Sequence, residues 1–268
     1  MPRASLPMYN LPEMRADNAA FWLAIRAEAE RLGVIGLPAE LDFTRKPVPE
    51  QIEPDTLFTQ VCGWPLQTIY AGQATVLGVP AYGAAHCAGP THAGVFVVQQ
   101  DAAFCSVADL RGCDFVFNSV HSNSGMNLPR RVIADLAGGR PFFGSVAETH
   151  SQPGNLERVA RGEADATCVD CVTYGFFARH RPGLADQIRV LAETPRTPAI
   201  PFVTAAATDP ITTAALAEAL RRVATAPELA PVRAGMMLLD VLPPGQVDYQ
   251  VPCRYAAEAA ALGYSNLH

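Results

Sequence analysis

The stretch NSVHSNSGMNLPRRVIADL, residues 118–136, sets Ser122, Asn123, Ser124 and Gly125 just ahead of an apolar pattern of helical period, with His121 beside them. One capping residue is enough to start a helix. The surplus is either loop filler or a site for an anion. First-turn N–H groups have no partner inside their helix, and the helix dipole adds partial positive charge there. Ser122, Asn123 and Ser124 add side-chain donors, and Gly125 lets a ligand approach the backbone. Such a cradle suits phosphate, phosphonate, sulfate or carboxylate. Pro129 falls late in the first turn, where it removes at most one marginal hydrogen bond. Ordinary capping by a single serine is the competing reading.

A second constellation lies in VAETHSQPGNLERVARGEADATCVDCVTYG. His150 follows an expected strand, and Asp170, Thr173 and Tyr174 stand at the next strand's end and the following helix start. Ligands of open α/β sheets bind outside the carboxyl ends of the strands. His150 alone reads as a surface or capped histidine; its placement on the same edge as the Ser122–Gly125 stretch makes it a site candidate. Three earlier clusters, MYNLPE, TQVCGWPL and HCAGPTHAGV, offer Tyr9, Trp64 and His92 for an opposing wall, against a plain reading as packing residues.

These residues need elements to hold them. Phe21, Ile25, Ala29 and Leu32 share one face of a helix over 13–32, with Gly33 as its C-cap. Strands are expected at 59–63, 74–80, 94–100, 114–119, 142–148, 165–170, 188–193 and 201–208, with helices between several of them and two helical stretches from 212 to 237. That alternation predicts an α/β architecture with largely parallel sheet. VVQQDAAF (97–104), where an apolar strand runs into a polar turn, and proline-rich ETPRTPAIP (193–201) read as crossings between lobes. They predict one lobe from residues 1–99 plus 195–268 and an inserted lobe from 100–194.

The 268 residues are 49% hydrophobic and 17% charged, enough for a sizeable core. The net charge is −6, and Lys and Arg never run more than two together, which excludes a nucleic-acid surface. Seven cysteines include one C-x-x-C, Cys168–Cys171; it supplies at most half a zinc site, and buried thiols or a redox pair are the alternatives. No run is long enough to span a membrane. The first 22 residues lack a signal segment, which predicts a cytoplasmic chain as it stands and a periplasmic one if it is a trimmed mature form.

The segments ADLRG…VFNSVHSNSGMNLPR, THSQPGNLERVARGEADATCVDCVTYG, QVCGWPL and GPTHAGVFVV resemble the phosphate/phosphite/phosphonate-binding family, the substrate-binding components of ABC transporters. The resemblance runs from about residue 8 to 202 and implies a two-lobed type II periplasmic-binding-protein fold, each lobe a mostly parallel sheet flanked by helices and joined by two hinge strands. It implies that Ser122, Asn123, Ser124 and Gly125 hold the oxyanion and that His150 adds a hydrogen bond or charge. Asp170 and Tyr174 then belong to the same lobe's pocket, and Tyr9 and His92 to the other lobe. The expected function is a binding protein that closes on a small anionic solute, linked either to ABC-type transport, with a permease as partner, or to a ligand-sensing role, with no cofactor and no metal. The alternative is a cytoplasmic enzyme using Cys62 or Cys168 as nucleophile with His150 or His92 as base.

Overall fold

Strands and helices alternate along the chain in the computed structural model, which describes residues 2–268. The strands are β1 (Arg3–Ala4), β2 (Thr56–Gln60), β3 (Ala74–Tyr82), β4 (Thr91–His92), β5 (Gly94–Gln99) and β6 (Asp114–Phe117). β7 (Ser145–Glu148), β8 (Ala166–Asp170), β9 (Ile188–Glu193), β10 (Thr197–Pro198), β11 (Phe202–Ala205) and β12 (Leu238–Leu242) complete them. The helices are α1 (Arg15–Arg31), α2 (Gly63–Gln67), α3 (Leu128–Ala137), α4 (Gln152–Ala160) and α5 (Cys171–His180). They continue with α6 (Pro182–Ala185), α7 (Pro210–Thr225), α8 (Ala230–Gly235) and α9 (Val251–Ala261).

The chain folds as two compact units. Unit 1 comprises the described residues up to 83, with 88–91 and 198–248; unit 2 comprises 84–87, 92–197 and 249–268. Two features differ from the expected lobes. β5, expected to close the first lobe, is the strand between β8 and β9 in unit 2, so 97–104 is no crossing. The last twenty residues, 249–268, also belong to unit 2. There Arg131 Nε donates to Glu258 Oε2 at 2.6 Å, and Asn127 Nδ2 to the Pro252 carbonyl at 2.9 Å. Long-range pairings of this kind leave no trace in a local hydropathy pattern. The division falls inside β4 and β10, which form a two-stranded sheet.

Unit 1 carries the sheet β1-β2-β11-β3-β12. Its aromatic core stacks Trp22 on Phe58 at 5.4 Å and Phe58 on Phe202 at 5.5 Å. α1 supplies Phe21, Trp22, Ile25 and Ala29, all fully buried, and Leu32 is half-buried at its C-cap. Gly33 follows with φ 90°, a left-handed value that favours glycine. β11 runs antiparallel to both neighbours, and β12 antiparallel to β3.

Unit 2 carries the sheet β7-β6-β8-β5-β9. β6 pairs in parallel with β7 and β8, while β5 runs antiparallel to β8 and β9. Val95, Phe96, Val97 and Val98 of β5 are 0% exposed, as expected of a strand covered on both faces. Because β7, β6 and β8 share one direction, the helix starts that follow them emerge on one sheet edge. That edge holds the candidate site.

Candidate functional site

The first of these starts is the Ser122–Gly125 stretch. The expected α-helix opens instead with a π turn over Asn123–Asn127, in which the Asn127 N–H reaches the Ser122 carbonyl at 3.0 Å. Such turns are rare and cluster at functional sites. α3 follows with Pro129 in its first turn, where its missing N–H costs little. Ser122, Asn123 and Ser124 are buried at 4%, 1% and 3% exposure.

Their side chains are already hydrogen-bonded, and the pattern separates their roles. Ser122 Oγ accepts from the Gly125 N–H at 3.0 Å, and Ser124 Oγ accepts from Gln152 Nε2 at 2.9 Å. A hydroxyl engaged as an acceptor keeps its proton to donate. Asn123 is committed at both ends: Nδ2 donates to Thr197 Oγ1 at 2.9 Å, and Oδ1 accepts from Asn127 Nδ2 at 3.0 Å. Its side chain braces the turn from both ends, with one of the two Nδ2 protons spent on Thr197. Gly125 has a different reason from the expected one. A Cβ there would lie 2.0 Å from Asn118 Oδ1, so the glycine admits a neighbouring side chain of the same edge.

The second start, α4, follows His150. Ser151 is the N-cap, its hydroxyl accepting from the Gly154 N–H at 3.0 Å, and Gln152 is the first helical residue. His150 precedes the cap at φ 64°, its N–H donating to the Asn118 carbonyl at 2.8 Å. Its side chain is 79% exposed beside Glu148, Nδ1 to Oε1 3.7 Å. The inward contacts belong to Gln152, which the sequence reading passed over. Gln152 Oε1 accepts from the Asp170 N–H at 2.9 Å while Nε2 donates to Ser124, tying the strand-end of β8 to the π turn. The S-Q-P-G string was the available signal, since a serine cap and a helix-start proline place Gln152 at the first inward position.

The third start, α5, is capped by Asp170, whose Oδ1 accepts from the N–H groups of Val172 at 2.8 Å and Thr173 at 3.4 Å. Its Oδ2 lies 2.6 Å from His92 Nδ1, and each residue is 2% exposed. His92 therefore belongs to unit 2 beside Asp170, not to an opposing wall. The register Gly94↔Asp170 brings the segment just ahead of β5 against the end of β8. Burial alone would push the His92 imidazole down, but the charge and hydrogen bond of Asp170 outweigh it, with Cys171 adding to them, and its pKa is raised. Tyr174 is half-buried in the first turn of α5, and burial raises its phenol pKa.

Tyr9 and Trp64 stand in unit 1. Tyr9 is 6% exposed, packs edge-on against Tyr82 at 5.3 Å and accepts through its carbonyl from Asn18 Nδ2 at 3.0 Å. Trp64 is half-buried in α2, directly after Cys62 and Gly63.

Among the described residues no group of three or more His, Cys, Asp or Glu side chains is placed to hold an ion. Cys168 is 0% exposed, and burial pushes its thiol well above the ordinary value. Cys171 has its sulfur 3.5 Å from that of Cys87, not paired within its own C-x-x-C. Among the described residues no helix is long and apolar enough to cross a membrane.

The site is thus a buried set of dipoles and one ion pair on a single sheet edge. The family of ABC-transporter phosphonate periplasmic substrate-binding proteins matches residues 65–248. No curated protein matches. A binding-protein component of an ABC phosphonate transporter from Pseudomonas aeruginosa is similar in structure, with a TM-score of 0.71, 15% identity, and coverage of 97% of this chain and 94% of that one. A Xanthomonas citri protein bound to ATP gives a TM-score of 0.67 at 13% identity over 97% of each chain. PhnD1 from Prochlorococcus marinus, in complex with methylphosphonate, gives 0.58 at 14% identity over 90% of this chain and 83% of that one. These likenesses show the two-lobed type II periplasmic-binding-protein fold. The sequence match spans well over half of the chain, so the protein belongs to the phosphonate periplasmic substrate-binding family of ABC transporters.

Proposed function

We propose that unit 2 binds the oxyanion head of a small phosphonate-class solute at the π turn of Ser122–Gly125, and that the protein delivers this solute to an ABC permease from the periplasm. The observation that carries the reading is the hydrogen-bond polarity of the two serines. Ser122 and Ser124 both accept from protein donors, which leaves both hydroxyl protons for an anionic oxygen. The first-turn amides beside them favour negative charge. Gln152 orients Ser124, and Tyr174 stands half-buried on the same edge. Asp170 is neutralised by His92, so it does not repel the ligand. The methylphosphonate held by the Prochlorococcus marinus protein is the ligand chemistry to try first.

The solute leaves unchanged. The buried, protonated Cys168 is a poor nucleophile and His92 is engaged by Asp170, which supports binding without a catalytic step.

Calorimetric titration with methylphosphonate, phosphate, sulfate and acetate tests the reading. At least one phosphorus oxyanion binds, and Ser122→Ala combined with Ser124→Ala lowers its affinity about 10- to 100-fold, from two lost charge-assisted hydrogen bonds. Unchanged affinity in the double variant refutes the assigned site.

A further inference from the structure

We propose that Cys87 and Cys171 form a redox-active dithiol that closes to a disulfide on exchange with a small-molecule disulfide. The two sulfurs are 3.5 Å apart in unit 2, and a disulfide requires about 2.05 Å, so they need to approach by only about 1.5 Å. The surroundings hold Cys87 in place. It ends the four-residue segment 84–87, by which the chain enters unit 2 between two stretches of unit 1. His86, just before it, holds an uncommon φ of 68°. Its carbonyl accepts from Arg196 Nε at 3.3 Å, and its Nδ1 lies 3.2 Å from Glu193 Oε2. Cys171 is fixed from the other side as the first residue of α5, its N–H donating to the Ala93 carbonyl at 3.1 Å.

The exposures set the order of events. Cys87 is half-buried and Cys171 is 1% exposed, so an external disulfide RSSR meets Cys87. The hydrogen bond with Cys87, then burial, holds the Cys171 thiol protonated in the reduced pair. Cys87 sulfur attacks RSSR, the S–S bond breaks, and the departing thiolate takes the Cys87 proton to give RSH. The mixed disulfide ends the thiol–thiol hydrogen bond and leaves the Cys171 sulfur facing the new S–S bond. Cys171 sulfur then attacks the Cys87 sulfur and expels the second RSH with the Cys171 proton. Two thiols are oxidised and one external disulfide is reduced, so atoms and electrons balance. A periplasmic family meets such oxidising conditions. The product fastens segment 84–87 covalently to the start of α5, next to the Asp170 cap.

Peptide mapping after incubation with oxidised glutathione, with thiols counted under denaturing conditions, tests the proposal. Wild-type protein loses two of its seven thiols and about 2 Da, and the peptides of Cys87 and Cys171 are recovered linked. Dithiothreitol restores all seven. Cys87→Ser and Cys171→Ser each abolish the intramolecular link. A full thiol count after treatment, a glutathione adduct that stalls on Cys87, or a link between Cys168 and Cys171 overturns the proposal.

Discussion

Replacing Asp170 by asparagine isolates the buried ion pair from the helix cap. Asparagine caps as well as aspartate, so its oxygen keeps the bonds from Val172 and Thr173. What is lost is the carboxylate 2.6 Å from His92 Nδ1, at residues only 2% exposed. Removing one member of a buried pair costs about 3–5 kcal/mol when the other stays charged. His92 relaxes by losing its proton, so Asp170→Asn is expected to cost about 2–4 kcal/mol near neutral pH. At roughly 2–4 °C per kcal/mol the melting temperature falls by about 5–15 °C.

The pH dependence carries the sharper test. The folded pKa of His92 lies above its unfolded value of about 6.5, so the native state binds the proton more tightly. The stabilisation is therefore complete below pH about 6.5 and is lost as pH rises through the folded value, no faster than about 1.4 kcal/mol per pH unit. In Asp170→Asn the buried imidazole prefers to be neutral, which destabilises the variant further as pH falls. Urea denaturation of both proteins across a pH series is expected to show a stability gap that is widest in acid and narrows with rising pH. A gap that stays constant or widens with pH would mean that His92 is not charged in the fold.

Gly125→Ala places a Cβ 2.0 Å from Asn118 Oδ1, and overpacking of that kind costs about 1–3 kcal/mol in urea melts. Asn118→Ala is expected to relieve part of this cost, and strictly additive losses in the double variant would separate the two residues. Gln152→Ala removes the bonds to Ser124 Oγ and the Asp170 N–H, with an expected loss of about 1–3 kcal/mol of stability and a weaker anion affinity by calorimetry. Gln152→Glu keeps the acceptor for Asp170 but turns the donor to Ser124 into a negative oxygen, so affinity is expected to fall further than stability. Equal anion affinity in Gln152→Glu and wild type would remove Gln152 from the site.

Much of the scaffold was legible because it is written locally. The apolar run at 188–193 is β9 residue for residue, and the Phe21, Ile25, Ala29 face is that of α1, whose C-cap is Leu32, one residue ahead of the expected Gly33. The site was legible as an edge. The strand ends preceding Ser122, His150 and Asp170 could be read one at a time, and parallel pairing of β7, β6 and β8 puts them side by side. What stayed hidden was which side chains meet. β12 and α9 were not anticipated, since the short LLDVL run and the alanine-rich VPCRYAAEAAA gain their partners from distant segments. His92 went to the wrong lobe for the same reason: the antiparallel pairing of β5 with β8 is a long-range choice that a hydropathy pattern does not encode.

The same pairing explains why polar residues at this edge, His92 and Asp170 among them, are buried. Once Gly94 is in register with Asp170, the residues ahead of β5 must pass over the end of β8. A buried carboxylate there needs a compensating charge. His92 supplies it, and Gln152 satisfies the Asp170 N–H from α4. With those groups matched, Ser122 and Ser124 each accept a bond and keep a hydroxyl proton, which is what the proposed oxyanion site requires. In the proposed site the ion pair would act on a ligand only through this arrangement. Breaking it in Asp170→Asn is therefore expected to weaken anion binding by less than removing the two serine hydroxyls does, even though it costs the fold more.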